Sequence, residues 1–547
     1  MDKNLLYYGD NLNILRLHFR QDETVDLIYL DPPFNSKQTY NEIFGAIDGS
    51  DRRSAAQMKA FGDTWRWDQG SAQAYRETVA AGGPVSDALQ GFYQRLGGSN
   101  MMAYLSMMAP RLVELHRVLK PTGSLYLHCD PTASHFLKLL LDAVFGTMGF
   151  RNEIVWKRTP FAGSSKARAK QFPRSHDIIL YYTKGPTWTW NGPNKPYSEK
   201  YLKRFKCDDG DGRGPYRKTL LKTYSDATFK QLEADGRLVP AVKAGAMWSY
   251  KQYLSESSGI IQVDDIWTDI DALNPQARER LGYPTQKPEA LLDRIIQTSS
   301  NEGDTVFDPF CGCGTTVASS QRLKRRWIGI DITSMATALI KKRLFDSYDA
   351  NIVKTYRVIG EPESLEDAEV LAATRTEEYQ FQWWACGLIN ARPAPKDQKK
   401  GSDKGIDGRI LFHDDVESVK PKQVIISVKA GKNAGPNDLR DLAGTVEAQE
   451  AAMGVIILMK EPTSQMKAAA AKYKPYESPW GSSHPKIQIL TVRELLAGKQ
   501  VDLPRSQDIR TFKKAPKAKI KAKVKRKRKR HDRPDYSMLP FLPFDGE

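Results

Sequence analysis

Residues 304–331, "DTVFDPFCGCGTTVASSQRLKRRWIGID", read as one unit: an apolar strand, a turn with Gly312 and Gly314, a helix, a second apolar strand, and Asp331 at its end. Glycine lets the backbone turn tightly and come close to a ligand, and the following helix presents oriented N–H groups. An acidic residue closing the next strand can accept hydrogen bonds from a ribose diol. The turn lacks the Lys of a phosphate-cradling loop after "GCGTT" and departs from GxGxxG spacing. Asp308, just ahead of it, disfavours a pyrophosphate and suits a ligand carrying positive charge, a polarity that fits S-adenosylmethionine. A purely structural strand-to-helix turn is the plainer alternative. Cys311 and Cys313 have no nearby Cys or His cluster to complete a four-ligand metal site, so they are expected to pack beneath the turn.

The same rhythm extends outward. Residues 5–8 and 25–30 read as strands joined through Gly9-Asp10 and a short amphipathic helix. Residues 101–119 and 132–145 read as helices flanking the strand "SLYLHCD", and "EIVWKR" and "HDIILYYTK" supply two more strands. This alternation predicts a doubly wound α/β domain over residues 1–350, interrupted at 185–280 by a polar, glycine-rich insertion. Residues 351–373 are charged and weakly patterned, as in a linker. A second α/β domain is expected over 374–504, from the helix "EEYQFQWWACGLIN" and the strands "GRILF", "QVIISVKA", "GVIILM" and "KIQIL". A basic tail, 505–547, follows, and a chain of 547 residues is too long for one hydrophobic core.

Of the net charge of +17, twelve Lys or Arg fall within residues 513–530, leaving +5 for the rest. The tail therefore reads as an arm for a polyanion, with a solubilising appendage as the alternative. Five scattered cysteines do not make a disulfide scaffold and point to a reducing compartment. No eighteen-residue apolar run and no signal-like start occur, so membrane and secreted classes are set aside.

"LIYLDPPFNSKQTYN", residues 27–41, places Asp31 at a strand end ahead of two prolines and Phe34. Prolines lack the N–H that a ladder needs and leave stiff, unpaired carbonyls. A carboxylate from Asp31 and the Pro32 carbonyl can then both accept from one exocyclic amino group, leaving its lone pair directed at a sulfonium methyl. Pro33 fixes the approach and Phe34 stacks on the base, which must leave the duplex stack to reach them. In isolation, an ordinary strand-ending turn explains the same residues.

Taken together, "GDNLNIL" at 9–15, "VDLIYLDPPFNS" at 25–36, "YPTQKPEALLDRII" at 283–296, "FDPFCGCGTT" at 307–316 and "IGIDI" at 328–332 resemble the amino-directed DNA methyltransferases of the permuted, beta-group order, in which the catalytic motif precedes the cofactor motif. The resemblance spans nearly all of residues 1–345. It implies an amino-group clamp of Asp31, Pro32, Pro33 and Phe34. It implies that Asp308, Phe310, Gly312, Gly314 and Thr315 hold the methionine part of S-adenosylmethionine, that Asp331 meets the ribose and Asp10 the adenine side, and that Lys287 lies by the donor's carboxylate, in a loop shaped by Thr285 and Gln286. Double-stranded DNA is the implied partner, 185–280 the implied target-recognition region, and a prokaryotic cytoplasm or nucleoid the implied location. The Asp-first clamp favours adenine N6; cytosine N4 methylation, or a non-catalytic DNA-binding or assembly protein that kept the fold, are the alternatives. A homodimer is one arrangement the sequence leaves open. Trp65, Arg66 and Trp67 read either as a base-stacking group or as cover for the core edge, and Lys157, Arg158, Arg174 and His176 either as site residues or as solvent-facing charges.

In the second domain, "GIDG", "SVK" and "NDLRDLAG" resemble the Mrr-like branch of the restriction-endonuclease fold. The resemblance implies Asp407 as a metal ligand, with Mg2+ as the ion, and Lys429 as the catalytic lysine. Ser427 departs from the pattern, standing where an acid or Gln normally precedes the lysine, so metal affinity should be weaker unless Glu377, Glu378 or Gln382 approaches. An active nuclease, an inactive DNA-binding derivative and an interface module are all compatible with this pattern.

Overall fold

A computed structural model of the chain describes residues 3–33, 41–43, 57–59, 67–159, 172–241, 247–257, 259–274, 276–283, 285–373, 380–393, 405–414, 421–431, 434–504 and 515–518. Alternate residues along the apolar strands go to opposite faces of a sheet, and here both faces are dry. Ile28 and Leu30 join one buried cluster while Leu27 and Tyr29 join another. Two covered faces explain why these strands read as continuous apolar runs.

The strands are β1 (Asn4–Tyr8), β2 (Val25–Leu30), β3 (Leu119–Cys129), β4 (Phe150–Lys157), β5 (His176–Thr183), β6 (Ile266–Trp267), β7 (Thr305–Asp308), β8 (Arg326–Asp331) and β9 (Tyr356–Ile359). They form one sheet in the order β6-β4-β5-β3-β2-β7-β8-β1-β9. From β3 to β9 every pairing is parallel, and β5 alone runs against its neighbours. Helices α1 (Asn11–His18) and α2 (Asn100–Val118) cover one face, while α3 (Glu289–Ser299), α4 (Thr315–Arg322) and α5 (Ser334–Ser347) cover the other. This is the doubly wound α/β architecture expected. The interval 185–280 carries its own small sheets, including a three-stranded one from Tyr216–Leu220, Leu238–Val239 and Ser249–Tyr253.

The supposed linker, 351–373, is not one. β9 pairs with β1, Leu5 opposite Arg357 and Leu6 opposite Val358, and forms the sheet edge. Helix α6 (Leu365–Ala373) then buries Ala368 in the second core. An edge strand and a helix with one buried face leave their remaining charges in water, which is why the stretch looks unpatterned.

The second core surrounds β10 (Arg392–Pro393), β11 (Gly408–Phe412), β12 (Lys422–Lys429), β13 (Met453–Leu458) and β14 (Ile487–Thr491), paired in that order. Helix α7 (Gln380–Leu388) packs Phe381 and Trp384 on one face, and α8 (Pro436–Ala448) packs Leu439 and Leu442 on the other. The tryptophans of "QWWACGL" are thus core residues. Tyr8 donates to Gln380 Oε1 at 3.1 Å, tying the first sheet to α7. Beyond residue 504 the described tail is 515–518, where Ala515 is buried and donates its N–H to Asp346. The rest of the basic arm lies outside the described residues.

Candidate active site

β2 ends where Pro32 and Pro33 remove two ladder donors, so Asp31 stands at the carboxyl edge of the sheet. Its parallel neighbour β7, with Val306 opposite Leu27 and Phe307 opposite Ile28, ends at Asp308 and enters the glycine turn. The two strand ends therefore open side by side. Asp31, Pro32 and Pro33 line one cavity of about 790 Å³ with Asp10, Lys287, Asp308, Phe310, Gly312, Thr315 and Asp331. That volume suits a nucleoside-sized ligand with room beside it. Gly314 does not line the cavity but sits beneath it at φ +74°, where a Cβ would stand 2.6 Å from Ile340 Cγ1. Phe34, Trp65 and Arg66 lie outside the described residues. Trp67 joins Tyr75 and Tyr93 in an aromatic cluster over the core edge.

The turn is held by carboxylates that themselves face the cavity. Asp308 accepts the Thr316 hydroxyl at 2.5 Å and the Phe310 N–H at 3.0 Å. Asp331 accepts the Gly312 N–H at 2.9 Å and both the N–H and hydroxyl of Thr333. Burial pushes Asp308 up to about 7, with the charges of Asp31 and Asp331 adding to it and the two hydrogen bonds opposing. Burial likewise pushes Asp331 up to about 6 against its own hydrogen bonds. Two buried acids side by side make a site that favours a positively charged ligand. Cys311 and Cys313 are buried under the turn, and burial pushes both thiols up.

Lys287 pairs with Asp31 through Nζ, so the two residues assigned to donor and target share one ion pair. Its backbone carbonyl accepts from the Thr315 hydroxyl at 3.3 Å, fastening this loop to the glycine turn. Gln286 bridges Leu281 N–H and the Glu279 carbonyl, which shapes the loop as expected. Asp10 caps α1 through Asn13 N–H and pairs with Arg111 at 2.6 Å. Arg111 also donates to Asn11, which in turn donates to the Pro309 carbonyl at 2.8 Å, so α2 clamps α1 onto the turn. Sequence reasoning missed Arg111; a lone arginine in the largely apolar "LSMMAPRLVEL" was the available signal.

A second group was also missed. On the sheet face that carries Asp31, Tyr29 bonds His128 Nδ1 at 3.0 Å, His128 Nε2 bonds Asp177 at 3.0 Å, and Arg158 Nε pairs with Asp177 at 3.1 Å. Tyr29, Asp177 and Arg158 reach the cavity wall. Burial acts to raise the Asp177 carboxyl, but the hydrogen bond from His128 and the charges of Arg158 and Lys287 together hold it below the usual carboxylate range.

In the second domain the register of β11 and β12 brings Asp407 beside Ser427 and Lys429, and each is engaged within the fold. Asp407 accepts the Val428 N–H at 2.7 Å, Ser427 is buried, and Lys429 pairs with Asp438 at 3.0 Å. Among the described residues no cluster of three His, Cys, Asp or Glu side chains is placed to hold a metal. Glu377 and Glu378 lie outside the described residues, and Gln382 is half-buried on α7. The Mg2+ expectation therefore has no support, because the carboxylate caps a backbone N–H and Ser427 brings no charge.

Comparison with known proteins places each half in a family, without confirming the Mrr-like branch for the second domain. The family model of DNA methylases, the N6/N4 type, matches residues 25–342, and that of the NACHT-associated inactive restriction endonuclease 1 matches residues 393–497. The type II methyltransferase M.EcaI of Enterobacter cloacae is 31% identical over 270 residues, 44% of this chain and 57% of that protein. The StyLTI Mod subunit of a Salmonella typhimurium type III restriction-modification enzyme is 27% identical over 349 residues, 57% of this chain and 49% of that one. The DNA adenine methyltransferase YhdJ of Escherichia coli is 29% identical over 236 residues, 43% of this chain and 64% of the relative. The chain thus spans about half to two-thirds of the length of these relatives.

Proposed function

The chain belongs to the DNA methylase family of N6/N4 type, and on that premise we propose that it transfers the methyl group of S-adenosylmethionine to the N6 amino group of adenine extruded from duplex DNA, within a restriction-modification setting. The observation that carries this reading is the common cavity of Asp31-Pro32-Pro33 and the glycine turn. The donor fits the turn's chemistry: buried Asp308 and Asp331 favour a cation, and Gly312 leaves the cavity floor bare of side chain. When bound, S-adenosylmethionine supplies an electrophilic methyl group.

The chain's own residues do the rest. The Asp31 carboxylate and the Pro32 carbonyl accept the two amino hydrogens, which orients the nitrogen lone pair and concentrates charge on it. To do so Asp31 exchanges its Lys287 partner for the base, while Lys287 turns to the donor's carboxylate. The methylated nitrogen sheds one proton, and Asp31 is the adjacent acceptor. Asp331 and Asp10 serve the ribose and adenine ends, and Phe310, Gly314 and Thr315 shape the turn. Adenine rather than cytosine is supported by the Asp-first clamp and by the name of the YhdJ relative. Residues 185–280 would read the target sequence, and the C-terminal domain would act as a non-cleaving DNA-binding module.

The test is to incubate purified protein with unmethylated DNA and donor, hydrolyse the DNA and identify the nucleosides. N6-methyladenine is expected, and it should vanish in Asp31→Ala with donor affinity kept. Exclusive N4-methylcytosine would overturn the base assignment, and no methylated base at all would overturn the activity.

A further inference from the structure

Across the centre of the sheet, four adjacent strands contribute one side chain or flanking residue each to an unbroken polar row: Tyr29 on β2, His128 on β3, Asp177 on β5 and Arg158 just after β4. His128 is fully buried, and Tyr29 and Asp177 nearly so. A carboxylate removed from water costs several kcal/mol unless its partners are well placed, so the row is an expensive way to fill a core. Its outlet is Arg158. The Arg158 side chain is 41% exposed and lines the cavity on the side of Asp31, and its backbone is fixed on both sides, by Ser175 and Ala272.

The other cations of the cavity are committed elsewhere. Arg111 is buried and spends its donors on Asp10, Asn11 and the Met107 carbonyl; Lys287 is paired with Asp31; Arg280 donates to the Leu273 carbonyl at 3.5 Å. Among the described residues, Arg158 is ion-paired with Asp177, Nε standing 3.1 Å from the carboxylate without hydrogen-bond geometry, and no partner is bonded to its terminal nitrogens. A guanidinium matches a phosphate through two parallel N–H donors, and an extruded nucleotide carries its flanking phosphates to the mouth of the cavity that receives its base.

We infer that Arg158 binds the phosphodiester flanking the extruded nucleotide, and that Asp177, anchored by His128 and Tyr29, is the positioning residue that aims it. Asp177 accepts from Nε2–H of His128, which leaves Nδ1 to take the Tyr29 hydroxyl. Tyr29 lies two residues before Asp31 on the same strand face, so the row links the phosphate grip to the strand that carries the amino clamp. This inference rests on the proposed methyl transfer for its substrate, but its binding arm does not need turnover.

Three measurements decide it. The probe is a short duplex with a central mispaired adenine, bound in the presence of donor. Arg158→Ala should weaken binding of this duplex by about tenfold or more, the worth of a charge-assisted contact, and leave donor affinity unchanged. Neutral methylphosphonates placed singly around the mispair should weaken the unaltered protein at one flanking position, and Arg158→Ala should lose sensitivity at that position alone. Asp177→Asn should raise the DNA dissociation constant by a similar factor, non-additively with Arg158→Ala and with kcat at saturating DNA largely kept. A residue that merely supports the fold would lower the Tm without moving the DNA dissociation constant. Duplex binding unaffected by Arg158→Ala, or undiminished methylphosphonate sensitivity at every position, would overturn the inference. Absence of methyl transfer by the unaltered protein would strike the proposed activity instead, and the binding arm would still judge Arg158.

Discussion

Lowering the pH should weaken donor binding, and the size of the effect follows from two carboxyls. In the ligand-free protein Asp308 is pushed up to about 7 and Asp331 to about 6, both chiefly by burial. A bound sulfonium attracts both carboxylates and lowers their pKa values, so donor affinity reaches its full value about a unit above pH 7 and falls as the free protein takes up protons that the complex must release. Between pH 7.5 and 5.5 Asp308 contributes somewhat over one decade and Asp331 somewhat over half of one, about a hundredfold together, or about 2.7 kcal/mol, if neither protonates in the complex. Titration calorimetry in two buffers of different ionisation enthalpy reads both the affinity and the protons released. Asp308→Asn should remove the larger part of the pH dependence. In the same window the ligand-free fold runs the opposite way: folded pKa values above the ordinary 3.8 stabilise it at low pH, and that contribution is lost as pH rises through about 6 and 7. A donor dissociation constant that stays within twofold from pH 5.5 to 7.5 would refute the view of these acids as the cation-facing floor of the site.

Gly314→Ala forces a positive φ on a residue with a Cβ that overlaps buried Ile340, so urea unfolding should show a loss of about 2–4 kcal/mol; a loss under about 0.5 would contradict the packing described. Lys287→Met removes the ion pair with Asp31, and should raise the donor dissociation constant about tenfold while leaving the mispaired-duplex affinity unchanged or improved. Asp407→Asn should cost about 1–2 kcal/mol in unfolding, because the cap on Val428 weakens, and the unaltered protein should not cut unmethylated plasmid with Mg2+; Lys429-dependent cleavage would reverse the reading of the domain. Truncation after residue 518 removes most of the basic arm, and the log–log salt slope of non-specific DNA binding should shrink by about 0.9 for every phosphate that the arm neutralises; an unchanged slope would exclude the arm from binding DNA.

The fold is readable wherever chemistry is local. Glycines in a strand-to-helix turn, prolines after an apolar strand and a carboxylate at each strand end declare themselves within a dozen residues, and both strand ends open on the same cavity. What stays hidden is pairing at a distance. Lys287 and Asp31 are 256 positions apart, and their ion pair depends on β7 lying beside β2. His128 in "SLYLHCD" and Asp177 in "HDIILYY" each look like a stray polar residue in a buried strand; only the antiparallel register of β3 and β5, with His128 opposite Ile179, puts them within bonding reach. Arg158 stands out as a charge, but nothing in its neighbourhood in sequence names the aspartate that holds it. The stretch 351–373 misleads for a different reason, since an edge strand and a half-buried helix carry too few apolar positions to show their period.

The second domain reverses this logic, because there the residues of a recognisable pattern are also held by contacts within the fold. Gly408 stands opposite Ile426, which puts Asp407 beside Ser427 at the end of the ladder, where a metal-binding pair of acids would sit. With a serine there, the lone carboxylate turns to the Val428 N–H, a donor that β11 is too short to satisfy, and Lys429 finds an acid at the start of α8 instead of a substrate. Each residue thereby has a structural role independent of hydrolysis: Asp407 closes the ladder, and Lys429 joins sheet to helix. An ion drawn to Asp407 would compete with the buried Val428 N–H, whose loss of its partner costs about 1–3 kcal/mol. The balance therefore favours a closed sheet end over a metal centre, so a nuclease-like sequence does not by itself imply a cutting enzyme.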